Sequence, residues 1–278
     1  LLLPKNYSGW LNVVPHAGLR FTHYGSRSSD NSGFVQMNDL NRSVFNTGVE
    51  FSFKASSTLP DAKLSLLDVN GMRHVVQPMA NYLFVPEPNK RPWELPQFDR
   101  ELHSLRLRPI DFPDYNSIDT IDSSNVIRIG VRNRLQTKRF GLVDDVLNWE
   151  LFTDWRLDND LYEARFNDVY SDLEVKPRSW LLLGSELRYD PNNRLLNESN
   201  HTISLLPNNK WSLTLGHRYL RDWTQDELKV RYPYDPFFEN SLGEDWRWGN
   251  NLLYSRLYYR FNEEWGFRMI HQFEASDA

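Results

Sequence analysis

The sequence predicts an all-β chain, an antiparallel transmembrane β-barrel in which these 278 residues supply roughly eleven strands of a larger barrel. Polar and apolar side chains alternate over stretches of about ten to fourteen residues, which is long enough to cross a bilayer at a tilt. The chain has 10 Trp, 13 Tyr and 16 Phe at a mean hydropathy of −0.62, as expected for a wet interior with aromatic side chains at the interfaces. Short and long polar links also separate the strands, as in outer-membrane barrels.

The first predicted strands alternate cleanly and cover about 11–24, 43–54 and 72–84. In 43–54 the apolar face carries Phe45, Val49, Phe51 and Phe53. Pro78 stands in the middle of the third strand, within HVVQPMANYLFVPEP at 74–88. Because proline has no amide hydrogen to donate to a neighbouring strand, we expect Pro78 to mark a bulge or a locally weakened pairing in a strand that continues.

The next two strands, 126–137 and 144–156, carry opposite charges on one face. The charged residues are Arg128, Arg132 and Arg134 in the first strand and Asp144, Glu150 and Asp154 in the second. Rows of opposite charge pair across the ladder when both rows point into the same wet interior.

With three residues from later strands, these side chains form the predicted interior set: Arg128, Arg132, Arg134, Asp144, Glu150, Asp154, Glu186, Arg188 and Arg218. Arginine binds phosphate in a bidentate manner, but it binds carboxylate in the same way. We expect these arginines to pair mainly with protein acids such as Asp144, Glu150 and Glu186.

Six further strands are predicted at about 168–176, 180–190, 195–206, 211–223, 250–261 and 265–274. Short links lie at 176–179, 191–193, 207–210 and 262–264, and long polar links at about 25–41, 86–124 and 224–248. All of 1–278 is interpreted as a segment of one barrel domain. The link 86–124 contains Trp93, Leu95, Phe98 and Phe112, so we expect it to fold over or into the interior.

Tryptophan follows three of the short links: the residues are Trp180, Trp211 and Trp265. The repeated position predicts an aromatic girdle at one membrane interface. For any one of them, a core tryptophan at the start of a strand in a soluble sandwich is the alternative.

Composition argues against several classes of protein. The 32 Lys and Arg against 37 Asp and Glu give a net charge of −5, which disfavours a nucleic-acid partner. The chain has no cysteine, so disulfides and thiolate metal sites are excluded within it. No apolar stretch approaches the roughly 18 residues that a spanning helix needs. The start, LLLPKNYSGW, lacks the features of a signal peptide, and we expect it to continue a longer chain.

No catalytic constellation, metal site or cofactor site is predicted. The GxSxG, HExxH, GxGxxG and P-loop patterns are absent, and the seven His residues are scattered. RLDNDL at 156–161 lacks the glycine and distal glutamate of a calcium loop. Aromatic residues with carboxylates also describe clefts that cleave sugars, so a soluble all-β glycan-binding or glycan-cleaving protein stays an alternative.

VVQPMANYLFVPEP at 75–88 resembles a characteristic stretch of the lipopolysaccharide-assembly outer-membrane protein family, LptD, in which a proline begins an aromatic strand that ends in Val-Pro. Three other stretches are similar to the family in the same order: LRFTHY at 19–24, LPQFDRE at 95–101 and SIDTIDSSNVIRIGVRNRLQTK at 117–138.

The resemblance implies a non-enzymatic translocon of the Gram-negative outer membrane that inserts lipopolysaccharide into the outer leaflet. It also implies contact with outer-membrane lipid, a plug lipoprotein of the LptE type inside the barrel and a periplasmic bridge protein of the LptA type. We expect the jellyroll domain and the gate strands of the family to lie outside this chain, and the disulfides of its relatives cannot form here. Another outer-membrane barrel, a porin or receptor that passes solutes, is the nearest alternative.

Overall fold

The computed structural model describes residues 1–25, 39–96, 98, 118–158, 165–222 and 250–275. Within these ranges the chain forms one antiparallel sheet of thirteen strands and two single 3-10 turns, Ser65–Leu67 and Pro92–Glu94. The strands are β1 Lys5–Tyr7, β2 Leu11–Tyr24, β3 Leu40–Phe53, β4 Ala55–Leu64, β5 Val69–Val85, β6 Ser124–Arg139, β7 Leu142–Arg156, β8 Val169–Arg178, β9 Leu181–Asp190, β10 Leu195–Leu205, β11 Trp211–Leu220, β12 Asn250–Arg260 and β13 Gly266–Glu274. None of the helical segments in the described part of the chain has the length and hydropathy of a membrane-spanning helix.

Neighbouring strands in the sequence are neighbours in the sheet, with one departure at β3, β4 and β5. β3 pairs with β5 as far as Ser52, and β4 resumes the pairing on the same edge of β5 from Ala55. The gap between them lies opposite Pro78, which pairs with Val131 of β6 on its other side. Since proline lacks the N–H of a ladder donor, the interruption expected at Pro78 falls on the β3 side, and β5 continues through it.

Two strands were not predicted from the sequence. β1 has only three residues, too few to display a period of two. β4, with the sequence ASSTLPDAKL, has few large apolar side chains and contains Pro60. It is a strand because β5 begins at Val69, earlier than the alternation indicated, and offers a free edge to the hairpin.

The tight turns lie mainly at one end of the sheet, called here the short-turn end. This end holds the β1–β2, β4–β5, β6–β7, β8–β9, β10–β11 and β12–β13 turns. In the β6–β7 turn Phe140 and Gly141 have φ of 50° and 80°, as the two-residue type I′ hairpin requires. The predicted short link at 191–193 is indeed short, but it joins β9 to β10 at the opposite end, called here the long-loop end.

The strands are staggered from one side of the sheet to the other. A row of directly opposed residues runs from the middle of β6 to the beginning of β12: Val131, Leu151, Ser171, Leu187, Ser199, Tyr219 and Asn251. Each later strand is therefore shifted toward the short-turn end, as strand tilt in a barrel demands. Among the described residues β1 and β13 do not pair with each other, so the sheet is part of a β-barrel, as predicted, and is not closed by itself.

The predicted links fall partly outside the described residues. Nothing is described at 26–38, 99–117 or 223–249, which include most of the three long links and Phe112. The end of RLDNDL, at 159–161, also lies outside the described ranges.

Candidate functional site on the polar face

The strand register divides the side chains between two faces of the sheet. One face, called here the apolar face, carries large exposed side chains: Leu19, Phe21, Phe51, Ile129, Trp149, Ile203, Leu215 and Phe273. Leu19 and Phe21 are 75% and 70% exposed, which is unfavourable in water when many such residues adjoin. This face suits contact with hydrocarbon, and the opposite one, called here the polar face, suits contact with water.

Arginines of β6 and acids of β7 meet on the polar face. Arg128 lies opposite Asp154 and donates two hydrogen bonds to it, Nε to Oδ1 at 2.7 Å and Nη2 to Oδ2 at 2.8 Å. Arg132 lies opposite Glu150 and forms a close ion pair with it. Arg134 has no carboxylate partner among the described residues. The pairing expected across this ladder is thus present at Arg128 and Arg132.

Arg188 of β9 is held by two acids that the sequence did not single out. Its Nη1 donates to Oε1 of Glu198 at 2.8 Å, and its Nε donates to Asp168. The guanidinium also lies over the ring of Tyr170, 5.5 Å from the centroid. The Arg188 and Glu198 side chains are each only 2% exposed, so their charges compensate each other away from water.

Asp144 is the member of the predicted interior set that lies apart from the others. A register shift in the β6–β7 ladder after Leu135 separates it from the polar row of β7. Asp144 instead accepts hydrogen bonds from Arg139 Nη1 and Lys176 Nζ, both at 3.0 Å. The pairing of Asp144 with the interior arginines Arg128, Arg132 or Arg188 is therefore absent.

Arg139 was missed by sequence reasoning, yet it joins three turns at the short-turn end. It donates to the carbonyl of Leu67 at 2.6 Å, beside the β4–β5 turn. It also donates to the carbonyls of Lys176 and Pro177, each at 2.9 Å, near the β8–β9 turn. The Arg139 side chain is 2% exposed, and its ion pair with Asp144 compensates the buried charge.

Charge is unevenly distributed over the polar face. One row of directly opposed residues reads Arg132, Glu150, Asp172, Glu186, Asn200 and Arg218. The three consecutive carboxylates make β7–β9 acidic, and the flanking strands β6 and β11 carry arginine. Glu186 accepts a hydrogen bond from Asn200 Nδ2 at 2.8 Å. Within the described ranges, no group of His, Asp and Glu side chains is arranged to hold a metal ion.

The two ends of the link 86–124 are bound to the polar face at the long-loop end. Arg42, 1% exposed, donates hydrogen bonds to carbonyls at both ends of the link, among them Lys90 and Ile118. Ile121 is buried in a cluster with Val44, Leu83, Val85 and Val126. These contacts bind the described ends of the link to the polar face, and the fold of the link over the interior stays a prediction.

The apolar residues singled out in that link differ in their exposure. Leu95 is buried, but Trp93 and Phe98 are exposed. The ring of Phe98 stacks on that of Tyr24 in β2, with 6.4 Å between the centroids. The base of the link therefore contacts the sheet, although two of its aromatic side chains are not covered by it.

All three predicted interface tryptophans lie at the short-turn end. Trp180 is in the β8–β9 turn rather than in a strand, Trp211 begins β11, and Trp265 immediately precedes β13. Trp10 in the β1–β2 turn is a fourth tryptophan at this end, and it packs edge-on against Phe53 with 5.6 Å between the centroids. A membrane girdle at this end stays a prediction.

The staggered sheet, with its apolar and polar faces, agrees with the family to which the sequence is similar. The model of a protein family described as LptD, LPS transport system D, matches residues 1–233. No curated protein matches the chain. This match covers more than half of the chain, which therefore belongs to the LptD family of proteins that transport lipopolysaccharide to the outer membrane of Gram-negative bacteria.

Proposed function

We propose that this chain forms part of an outer-membrane wall that inserts lipopolysaccharide into the outer leaflet without catalysing a reaction. The observation that carries the proposal is the separation of an apolar and a polar face over the whole staggered sheet. Lipopolysaccharide has a phosphorylated sugar head and several acyl chains. A wall with a wet inner face and a lipid-facing outer face gives each part a compatible environment.

In this proposal the polar face lines the barrel interior. Arg128, Arg132 and Arg188 each lie beside a carboxylate, which lowers the cost of placing their charge on a partly enclosed surface. The bound base of the link 86–124 narrows the interior at the long-loop end, which faces the cell exterior. The short-turn end, with Trp180, Trp211 and Trp265, lies at the periplasmic interface.

Membership of the family supports other components of the lipopolysaccharide transport system as partners. We propose a plug lipoprotein of the LptE type against the polar face and a bridge protein of the LptA type that delivers lipid from the periplasm. Contact of the apolar face with outer-membrane lipid completes the arrangement.

The exposed apolar face argues against a soluble glycan-binding or glycan-cleaving protein. Leu19 and Phe21 in β2, and Ile203 and Leu215 in β10 and β11, are at least half exposed on this face. A soluble sheet would cover such a surface with a second layer.

Depletion of the full-length protein from the bacterium that carries it tests the transport function. We expect surface lipopolysaccharide, measured with a probe that cannot cross the outer membrane, to fall as the protein is lost, while uptake of small hydrophilic solutes continues. The control is depletion of a general porin, which should reduce uptake of small hydrophilic solutes and leave surface lipopolysaccharide unchanged. Loss of solute uptake with normal surface lipopolysaccharide would instead favour the porin or receptor alternative.

A further inference from the structure

Among the described residues, three arginines on β11–β13 lack the acid partners that Arg128, Arg132 and Arg188 have on the same face. Arg128, Arg132 and Arg188 each have a carboxylate within ion-pair distance. Within the described ranges, Arg218 of β11, Arg256 of β12 and Arg268 of β13 have none. These three side chains therefore keep positive charge available to a ligand.

The three arginines form a diagonal line across the polar face. Arg218 lies opposite Leu252 of β12, and Arg256 lies four residues farther toward the short-turn end. Arg256 lies opposite Ile270 of β13, and Arg268 is two residues farther in the same direction. At about 3.4 Å per residue, Arg218 and Arg256 are about 14 Å apart along the strands, and Arg256 and Arg268 about 7 Å. Flexible arginine side chains at this spacing can reach separate phosphates of one head group.

Arg256 lies against an aromatic ring of its own strand. Its guanidinium lies over the ring of Tyr254, 5.1 Å from the centroid. The Tyr254 hydroxyl donates to Oδ1 of Asn200 at 2.8 Å, which holds the ring against the wall. Within the described ranges no hydrogen bond is seen from this guanidinium, so its N–H groups are available for bidentate binding of phosphate.

The neighbouring strands favour this location for an anion. The carboxylates Glu150, Asp172 and Glu186 follow one another across β7–β9, whereas the three arginines lie on β11–β13. Glu198 of β10 is already paired with Arg188. We infer that Arg218, Arg256 and Arg268 form an anion track that binds the phosphate groups of a phosphorylated glycolipid head group, an inference that rests on the proposed function.

Direct binding to the full-length protein, purified with its natural assembly partners, tests the anion track. The probes are purified lipopolysaccharide and the same lipid after chemical removal of its phosphates. We expect the double variant Arg218→Gln, Arg256→Gln to lose at least about tenfold in affinity for the phosphorylated lipid, because charged hydrogen bonds are lost. Its affinity for the lipid without phosphates should change little. The charge-preserving Arg218→Lys, Arg256→Lys variant should recover part of the affinity.

Lys210→Gln is the matched control, because it removes one positive charge from the β10–β11 turn, which lies outside the strands that carry the three arginines. Heat-modifiable migration on gels establishes that each variant is folded. If a double variant does not fold, the single variants at positions 218 and 256 are measured in its place. Unchanged affinity of the folded glutamine variants, or equal loss for both lipids, overturns the anion track while leaving the proposed function in place. Displacement of the lipid by inorganic phosphate at equal concentration would overturn it in favour of a free-phosphate site. Absence of lipid binding by the unaltered protein contradicts the proposed function itself.

Discussion

On the polar face, aromatic rings lie over glycines of the neighbouring strand. Phe152 of β7 lies opposite Gly130 of β6, and Tyr254 of β12 lies opposite Gly216 of β11. A Cβ atom at Gly130 would be 1.9 Å from Cδ1 of Phe152, and one at Gly216 would be 2.2 Å from Cζ of Tyr254. Glycine therefore lets each ring lie flat along the polar face of the sheet.

Gly130→Ala should force the Phe152 ring off the wall. We expect the variant to lose about 1–3 kcal/mol in the free energy of unfolding, the usual cost of overpacking. Urea titration of the full-length protein in lipid vesicles measures this value. Gly25→Ala is the control, because no atom of the described residues lies within 4 Å of its added Cβ and the residue has no positive φ. Equal stability of the two variants would show that the ring moves freely.

At the scale of strands and turns, Arg139 connects segments that are far apart in the chain. Arg139→Lys keeps the charge but cannot reach the carbonyls near the β4–β5 and β8–β9 turns together, because lysine lacks the planar fork of donors. We expect a loss on the order of 2 kcal/mol in the free energy of unfolding, since partly buried carbonyls and Asp144 lose partners. The urea midpoint in vesicles measures it, with exposed Lys138→Gln in the same strand as control. A midpoint equal to that of the control would contradict a connecting role.

The sequence predicted the strands whose side chains alternate, and it could not predict contacts that depend on register. β2 and β7 carry regular apolar rows, so their existence follows from the period of two. Arg188 was assigned to the polar face, but its partners Asp168 and Glu198 were not. A register shift between Leu196 and Glu198 places Glu198 opposite Arg188, and nothing in the alternation specifies such a shift.

For the whole molecule, the position of charge around the sheet matters more than the net charge of −5. The polar face is basic on β6, acidic on β7–β9 and basic again on β11–β13. Every strand pair contributes to this pattern because the register between neighbouring strands decides which side chains lie on the polar face. A basic head group would favour the acidic strands β7–β9, and a phosphorylated one the basic strands β11–β13. The charge pattern therefore determines where a charged ligand binds.

The open edges of the sheet determine how the 278 residues behave by themselves. The side chains of β13 are exposed along its whole length, and among the described residues its outer edge has no strand partner. Because unpaired backbone groups cost several kcal/mol each in hydrocarbon, we expect these residues, expressed alone and refolded with lipid, to give no heat-modifiable band on gels. The full-length protein, refolded in the same lipid, is the control and should give one. A heat-modifiable band from the 278 residues alone would contradict this prediction, because it would mean that β1 and β13 pair and close a smaller barrel.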